Sequence, residues 1–258
     1  MKVAGPVAFF WFRRDLRLDD NAGLYYALKS GLPVIPLFIF DTIILDELPE
    51  KADKRVQFIH NEVVRLNQEL TALGSGLLVK HGKPLQVWEQ LLAEYDIRAV
   101  FTNNDHEVYA RRRDQFVGEL LAAHKCTFNS FKDIVIFEKD EVLKDDGTPY
   151  TVFTPYSKKW RAKLKPFYYK SYPAQKYSSA FYRGLKTQVP VLVSMGFRGV
   201  EADYPERKVK NDIVKNYSER RDYPAMDATS RLSLHLRFGT LSIRKLLAYA
   251  LERNQTYV

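Results

Sequence analysis

Five residues near the end of the chain, Thr229-Ser230-Arg231-Leu232-Ser233, place three hydroxyls and a cation at the predicted start of a helix. The first backbone N–H groups of a helix have no partner within it and lie at the positive end of its dipole, so this arrangement suits a phosphate. The same residues suit a plain end cap, the commoner role for such a run, with Thr229 or Ser230 accepting from those N–H groups. Near the other terminus, the apolar run Val7 to Phe12 leads directly into Arg13-Arg14-Asp15. Open α/β sheets bind their ligands beyond the carboxyl ends of the strands, which is where these charges fall. No G-x-G-x-x-G turn or P-loop follows that strand, so NAD-dependent dehydrogenases and P-loop kinases drop out.

The elements that must position these residues are legible from periodicity. Val7 to Phe12, Pro33 to Phe40, Gly76 to Lys80, Arg98 to Thr102 and Cys126 to Phe131 read as strands. Between them, residues 53–73 carry Val56, Ile59, Val63, Leu66, Leu70 and Leu73 as one helical stripe. Residues 84–95 begin with proline at a first helical position, and 106–124 form a highly charged helix. Strands alternating with helices require crossovers, which predicts an α/β fold: a doubly wound parallel five-stranded sheet with helices on both faces, over residues 5–133.

Residues 134–204 interleave prolines and aromatic rings with lysines and read as a long linker packed over a neighbour. From 205 to 258 the pattern is helical. Val209 to Arg221 is one candidate helix, Thr229 begins a second that stops at Gly239, and Ser242 caps a third. The apolar face of that third helix, Leu246, Leu247, Ala250 and Leu251, has nothing after it in the chain to cover it and is expected to be exposed.

Of the net charge of +9, residues 1–130 supply −1 (16 basic, 17 acidic) and residues 131–258 supply +10 (24 basic, 14 acidic). Such a one-sided excess suits a polyanion such as nucleic acid, or else a solvated basic face. Two helices joined at Phe238-Gly239-Thr240-Leu241 also suit a helix-turn-helix on duplex DNA. The single cysteine, Cys126, leaves no internal disulfide and no multi-cysteine metal site, and no metal is expected. With no long apolar run and no signal-peptide pattern, the chain reads as soluble and cytoplasmic, away from membranes.

Three blocks carry a resemblance: WFRRDLRLDDN (Trp11 to Asn21), YTVFTPYSKKWRAKL (Tyr150 to Leu164) and YSERRDYPAMDATSRLSLHLRFGTLSIR (Tyr217 to Arg244). In this order they resemble the DNA photolyase/cryptochrome family, in particular class I-like deoxyribodipyrimidine photolyases. The resemblance implies an α/β antenna-binding domain, an interdomain linker and the first helices of an all-α FAD-binding domain. It implies FAD as cofactor, with Tyr217, Thr229, Ser230, Arg231, Leu232 and Ser233 at the FAD phosphates and ribityl chain. Arg221 corresponds to a position near the DNA-binding face.

The implied activity is light-driven repair of cyclobutane pyrimidine dimers in UV-damaged DNA, by a protein that is monomeric when complete. A cryptochrome-like blue-light photoreceptor, or a truncated non-catalytic binding module, shares the same motifs. An antenna chromophore of unspecified type is implied as well. Folate-bearing members present an Asn-Glu pair where this chain has Tyr109 and Ala110, so a folate is not expected. Arg111, Arg112 and Arg113 suit an anionic antenna other than folate or, as the plainer reading, a solvent-facing cluster. Leu234 stands where many members have proline, inside the helix. The chain ends before the family's Trp-Arg-Glu-Phe segment, and Trp11, Trp88 and Trp160 match none of its relay tryptophans. An N-terminal portion, inactive alone and weak in FAD binding, is therefore expected.

Overall fold

The computed structural model describes residues 5–254, 256 and 257. Strand β1 (Pro6–Phe12) sends alternate side chains to opposite faces: Ala8, Phe10 and Phe12 enter one core, while Val7, Phe9 and Trp11 enter another. Then follow α1 (Ala22–Leu28), β2 (Val34–Asp41), α2 (Thr42–Leu45), α3 (Lys54–Ala72) and β3 (Leu78–Gly82). Next come α4 (Pro84–Glu94), β4 (Asp96–Asn103), α5 (Val108–Ala123) and β5 (Thr127–Phe131). Among the described residues the five strands form one parallel sheet in the order β3-β2-β1-β4-β5. Helices α1 and α3 cover the first core and α4 and α5 the second, as the alternating pattern predicts. The strand order reverses at β1, so a crevice opens beyond its carboxyl end.

Helix α1 has no periodic signature because five of its seven residues are buried. Asn21 caps it, accepting from Leu24 N–H at 3.1 Å. Gly23 lets it sit hard against the end of β4: a Cβ there would lie 2.8 Å from both the Thr102 carbonyl and Asn103 Oδ1.

The linker is partly built into the first core. Ala174, Phe181, Leu192, Met195 and Phe197 pack there, and Tyr182 N–H bonds the Val34 carbonyl at 2.8 Å. Within the linker lies α6 (Phe153–Lys163), none of whose residues is buried. The remaining helices are α7 (Asn211–Lys215), α8 (Tyr217–Arg220), α9 (Ser233–Arg237) and α10 (Ile243–Leu251).

The structure departs from three sequence expectations. The single helix at Val209 to Arg221 is two short ones meeting at Asn216. The helix expected from Thr229 begins at Ser233, because Arg231 adopts φ 51°, a left-handed conformation that no helix continues through. The apolar face of α10 is covered: Leu247 and Ala250 are buried, and Leu247 joins Ile136, Phe137 and Val142, flanked by Trp160 and Tyr168. The linker's aromatic residues supply the cover expected to be absent.

Candidate functional site

The residues Arg13 to Asn21 after β1 do most of their work in binding the two ends of the chain together. Asp133, fully buried just past β5, accepts from Arg17 Nη2 at 2.7 Å, Arg244 Nη2 at 2.8 Å and Ala22 N–H at 2.9 Å. Asp20, also buried, accepts from Arg244 Nε at 3.0 Å, from Tyr172 N–H at 2.7 Å and from the Ser242 hydroxyl. Arg17 Nη1 completes the cluster on the Gly239 carbonyl at 2.9 Å. Two arginines and two aspartates thus neutralise one another out of water, with hydrogen bonds to the remaining lone pairs.

This cluster makes stability pH-dependent. Burial of Asp133 opposes its charge, yet Arg17 and Arg244 hold its carboxyl below the usual carboxylate value. A depressed folded-state pKa contributes stability above the unfolded value of about 4, which is lost as pH falls through the folded-state value. Asp15, raised chiefly by burial, acts in the opposite sense, its contribution fading as pH rises through its own folded-state value. Urea midpoints followed down from pH 5 are expected to fall, and the fall to be shallower in Asp133→Asn, itself less stable at neutral pH.

Beyond the carboxyl ends of β1 and β2 lies a cavity of about 600 Å³. Its walls include Trp11, Phe38, Phe40, Tyr109 and Phe238, and α9 closes one side with Leu234 and Arg237. Among the described residues, five arginines (Arg13, Arg14, Arg55, Arg113 and Arg237) line it against three carboxylates, Asp41, Asp105 and Glu107. Arg13 and Arg113 share Asp114 at their backs and Arg55 pairs with Asp53, so the arginines are balanced by carboxylates, and the aromatic walls suit a planar ring. At the mouth, Arg14 contacts Asp105 at 3.1 Å and Glu107 at 3.0 Å, and Arg237 reaches Glu107 at 2.5 Å. Deeper in, the Tyr109 hydroxyl donates to Asp41 Oδ2 at 2.6 Å, and Arg113 lies over both the Tyr109 and Trp11 rings. Burial raises the Asp41 carboxyl and, with the nearby Asp41 bond and charge, raises the Tyr109 hydroxyl.

Sequence reasoning placed the approach to this cavity at Arg13 but missed its other walls. Arg113, expected with Arg111 and Arg112 in solvent, is 9% exposed in its side chain, whereas the other two are exposed. The available signal was spacing: Tyr109 and Arg113 stand four apart on one helix face, and Asp41 ends a strand as Arg13 follows one.

The residues expected to meet phosphate fall elsewhere. Tyr217 is half-buried and meets Tyr257 edge to face at 5.0 Å. Ser230 bonds the Tyr257 hydroxyl, Thr229 is exposed, and Leu232 is buried. Arg231 pairs with Asp227 at 2.9 Å in solvent. Ser233 starts α9, whose first turn has no side-chain cap, and it also borders the strand-end cavity. Tyr217 and Ser230 are thus brought together through Tyr257. Arg221 is exposed, 3.6 Å from Asp222. Among the described residues no helix is long and apolar enough to cross a membrane.

Fold and cavity together define a doubly wound α/β protein with a cavity of aromatic rings and arginines at its strand ends. The family described as DNA photolyase matches residues 8–176, and the chain belongs to it. It is 32% identical over 257 residues to the deoxyribodipyrimidine photo-lyase of Halobacterium salinarum, covering 91% of this chain and 52% of that protein. The corresponding protein of a Synechococcus strain is 31% identical over 98% of this chain and 56% of its own length. The chain thus spans about half the length of these relatives. The solved archaeal photolyase from Sulfolobus tokodaii, described as holding two FAD molecules with implication of a novel light-harvesting cofactor, superposes with a TM-score of 0.71. It is 25% identical, over 97% of this chain and 56% of its own.

Proposed function

We propose that these residues serve as the light-collecting, N-terminal portion of a deoxyribodipyrimidine photo-lyase acting on cyclobutane pyrimidine dimers in DNA, with FAD as its cofactor. The observation that carries this reading is the strand-end cavity, walled by aromatic rings and arginines, in a chain whose relatives are photolyases. The cavity takes an antenna chromophore, here a flavin, in keeping with the second FAD named for the archaeal relative. Tyr109 offers its ring, and Arg113, which shares Asp114 with Arg13, stands deep in the pocket for an anionic group.

A second place, around Tyr217 and Thr229 to Ser233, is one wall of the site for the catalytic FAD. The exposed hydroxyls and the first turn of α9 without a side-chain cap fit a phosphate group. When bound, that flavin supplies the one-electron chemistry that splits the dimer, on a base drawn out of the duplex. Arg221, exposed beside this wall in sequence, contributes to holding the DNA backbone.

Two measurements test this. FMN is expected to bind the purified chain, with Arg113→Gln weakening it about tenfold, or roughly 1.4 kcal/mol, while Thr229→Ala leaves it unchanged. The reverse pattern would place the flavin at the wrong site. Illumination of UV-damaged DNA with the FAD-loaded protein from its native locus is expected to remove dimers in the light only. Flavin photochemistry without dimer loss would instead make it a cryptochrome-like photoreceptor.

A further inference from the structure

The arginines of the strand-end cavity already have partners. Arg13 donates through Nη1 to both oxygens of Asp114 and through Nη2 to the Asn103 carbonyl. Arg113 donates to the same carboxylate, with Nε at 3.1 Å and Nη2 at 3.0 Å from Oδ1. Among the described residues its Nη1 makes no hydrogen bond and stands 3.9 Å from Asp41 Oδ2. Arg14 and Arg237 are held at the mouth by Asp105 and Glu107, and Arg55 by Asp53. Five arginines thus meet five carboxylates, Asp41, Asp53, Asp105, Glu107 and Asp114.

Asp114 does not line the cavity; it stands behind the two arginines that do. Its charge therefore acts on a ligand without shaping the walls that the ligand touches. A carboxylate bonded to a guanidinium cancels most of the attraction of that cation for a second anion. An anionic group entering beside Arg113 gains its one open N–H group, Nη1, and meets Asp41 and Asp114 as like charges. Loss of hydration grows steeply with charge, so a phosphate dianion fares worse there than a single charge, and a neutral group suffers neither penalty.

We propose that Asp114 sets the charge of the chromophore this cavity takes: by occupying Arg113 from behind, it admits a flavin whose group beside that arginine is neutral or singly charged and discriminates against a phosphate dianion. This rests on the reading of the cavity as a flavin site and adds selection among flavins by a residue outside the lining. Neutralising Asp114 leaves Arg113 with an uncancelled charge toward the cavity and turns the preference toward the dianion.

The test compares FMN, whose phosphate carries about two negative charges at neutral pH, with riboflavin, the same ring without that phosphate. Dissociation constants of both are measured by fluorescence titration of the purified chain, as wild type and as Asp114→Asn. The substitution keeps the size of the side chain and an accepting oxygen, and removes the charge. The wild type is expected to bind the two flavins within about tenfold of each other, and Asp114→Asn to tighten FMN about tenfold while leaving riboflavin as it was. Equal changes for both flavins mark a merely structural role and overturn the assignment, as does an FMN affinity that does not rise in Asp114→Asn. A wild-type preference for FMN beyond about tenfold overturns it too, and that comparison decides the matter if the variant fails to fold. Binding of neither flavin by the wild type overturns the reading of the cavity itself.

Discussion

Arg244→Ala is expected to lower the unfolding free energy by about 3–5 kcal/mol, read from urea denaturation at neutral pH. The arginine spends its whole fork on buried acceptors: Asp20 Oδ1 at 3.0 Å, the Asp20 carbonyl at 2.5 Å, Asp133 Oδ1 at 2.8 Å and the Asp133 carbonyl at 3.2 Å. Removing it leaves two carboxylates, Asp20 and Asp133, with Arg17 as their remaining cation in the cluster. Arg244→Lys is expected to recover less than half of the loss, since an ammonium cannot reach both aspartates with a planar fork. A loss under about 1 kcal/mol, the range of an exposed ion pair, would show that the cluster is solvated in solution.

Gly239→Ala is expected to destabilise by about 2–5 kcal/mol, from roughly 1–2 for a left-handed alanine and roughly 1–3 for overpacking. Gly239 ends α9 in a Schellman turn: Thr240 N–H bonds the His235 carbonyl at 3.0 Å, Gly239 N–H faces the Leu236 carbonyl, and φ is 58°. At an ordinary position of this kind asparagine is tolerated, because it enters the left-handed region readily. Here a Cβ would stand 2.2 Å from the Arg14 carbonyl oxygen and 2.6 Å from the Asp15 Cα. Both are backbone atoms that cannot swing aside. Gly239→Asn is therefore expected to be about as damaging as Gly239→Ala, and thermal unfolding of the two variants side by side checks it. Rescue by asparagine would mean that the turn conformation alone matters.

The sheet was legible because β1 and β2 are buried on both faces and read as nearly continuous apolar runs, while α3 keeps a clean stripe. Helix α1 was not, since its burial on most sides erases the stripe. Nor does hydrophobic pattern record a dihedral angle, so the left-handed turn at Arg231 that delays α9 to Ser233 has no signal in residue type. The cover on α10 was missed for a different reason. It comes from residues such as Phe137 and Trp160, which precede it by most of a domain, and order along the chain says little about who packs on whom.

The candidate site divides in the same way. The strand-end position of Arg13 pointed to the crevice, and the family resemblance pointed to Tyr217 and the Thr229 to Ser233 run. Neither revealed that Asp41, Tyr109 and Arg113 meet in one cavity, because Asp41 ends β2 while the other two lie on α5, and only the seating of α5 against the strand ends joins them. In the first of the three blocks, Arg17 and Asp20 reach partners more than a hundred residues away, which no local spacing can announce.

The dependence of Asp20 and Asp133 on Arg244 also has a consequence for synthesis. Multi-part chains commonly complete their first domain while the ribosome is still making the next. Here the α/β part has all five strands by Phe131, yet its buried carboxylates lack their second cation until residue 244 has left the exit tunnel. The linker and helices α7 to α9 are thus made before the sheet's own polar centre is neutralised, and the first part of the chain to be translated is among the last to be locked.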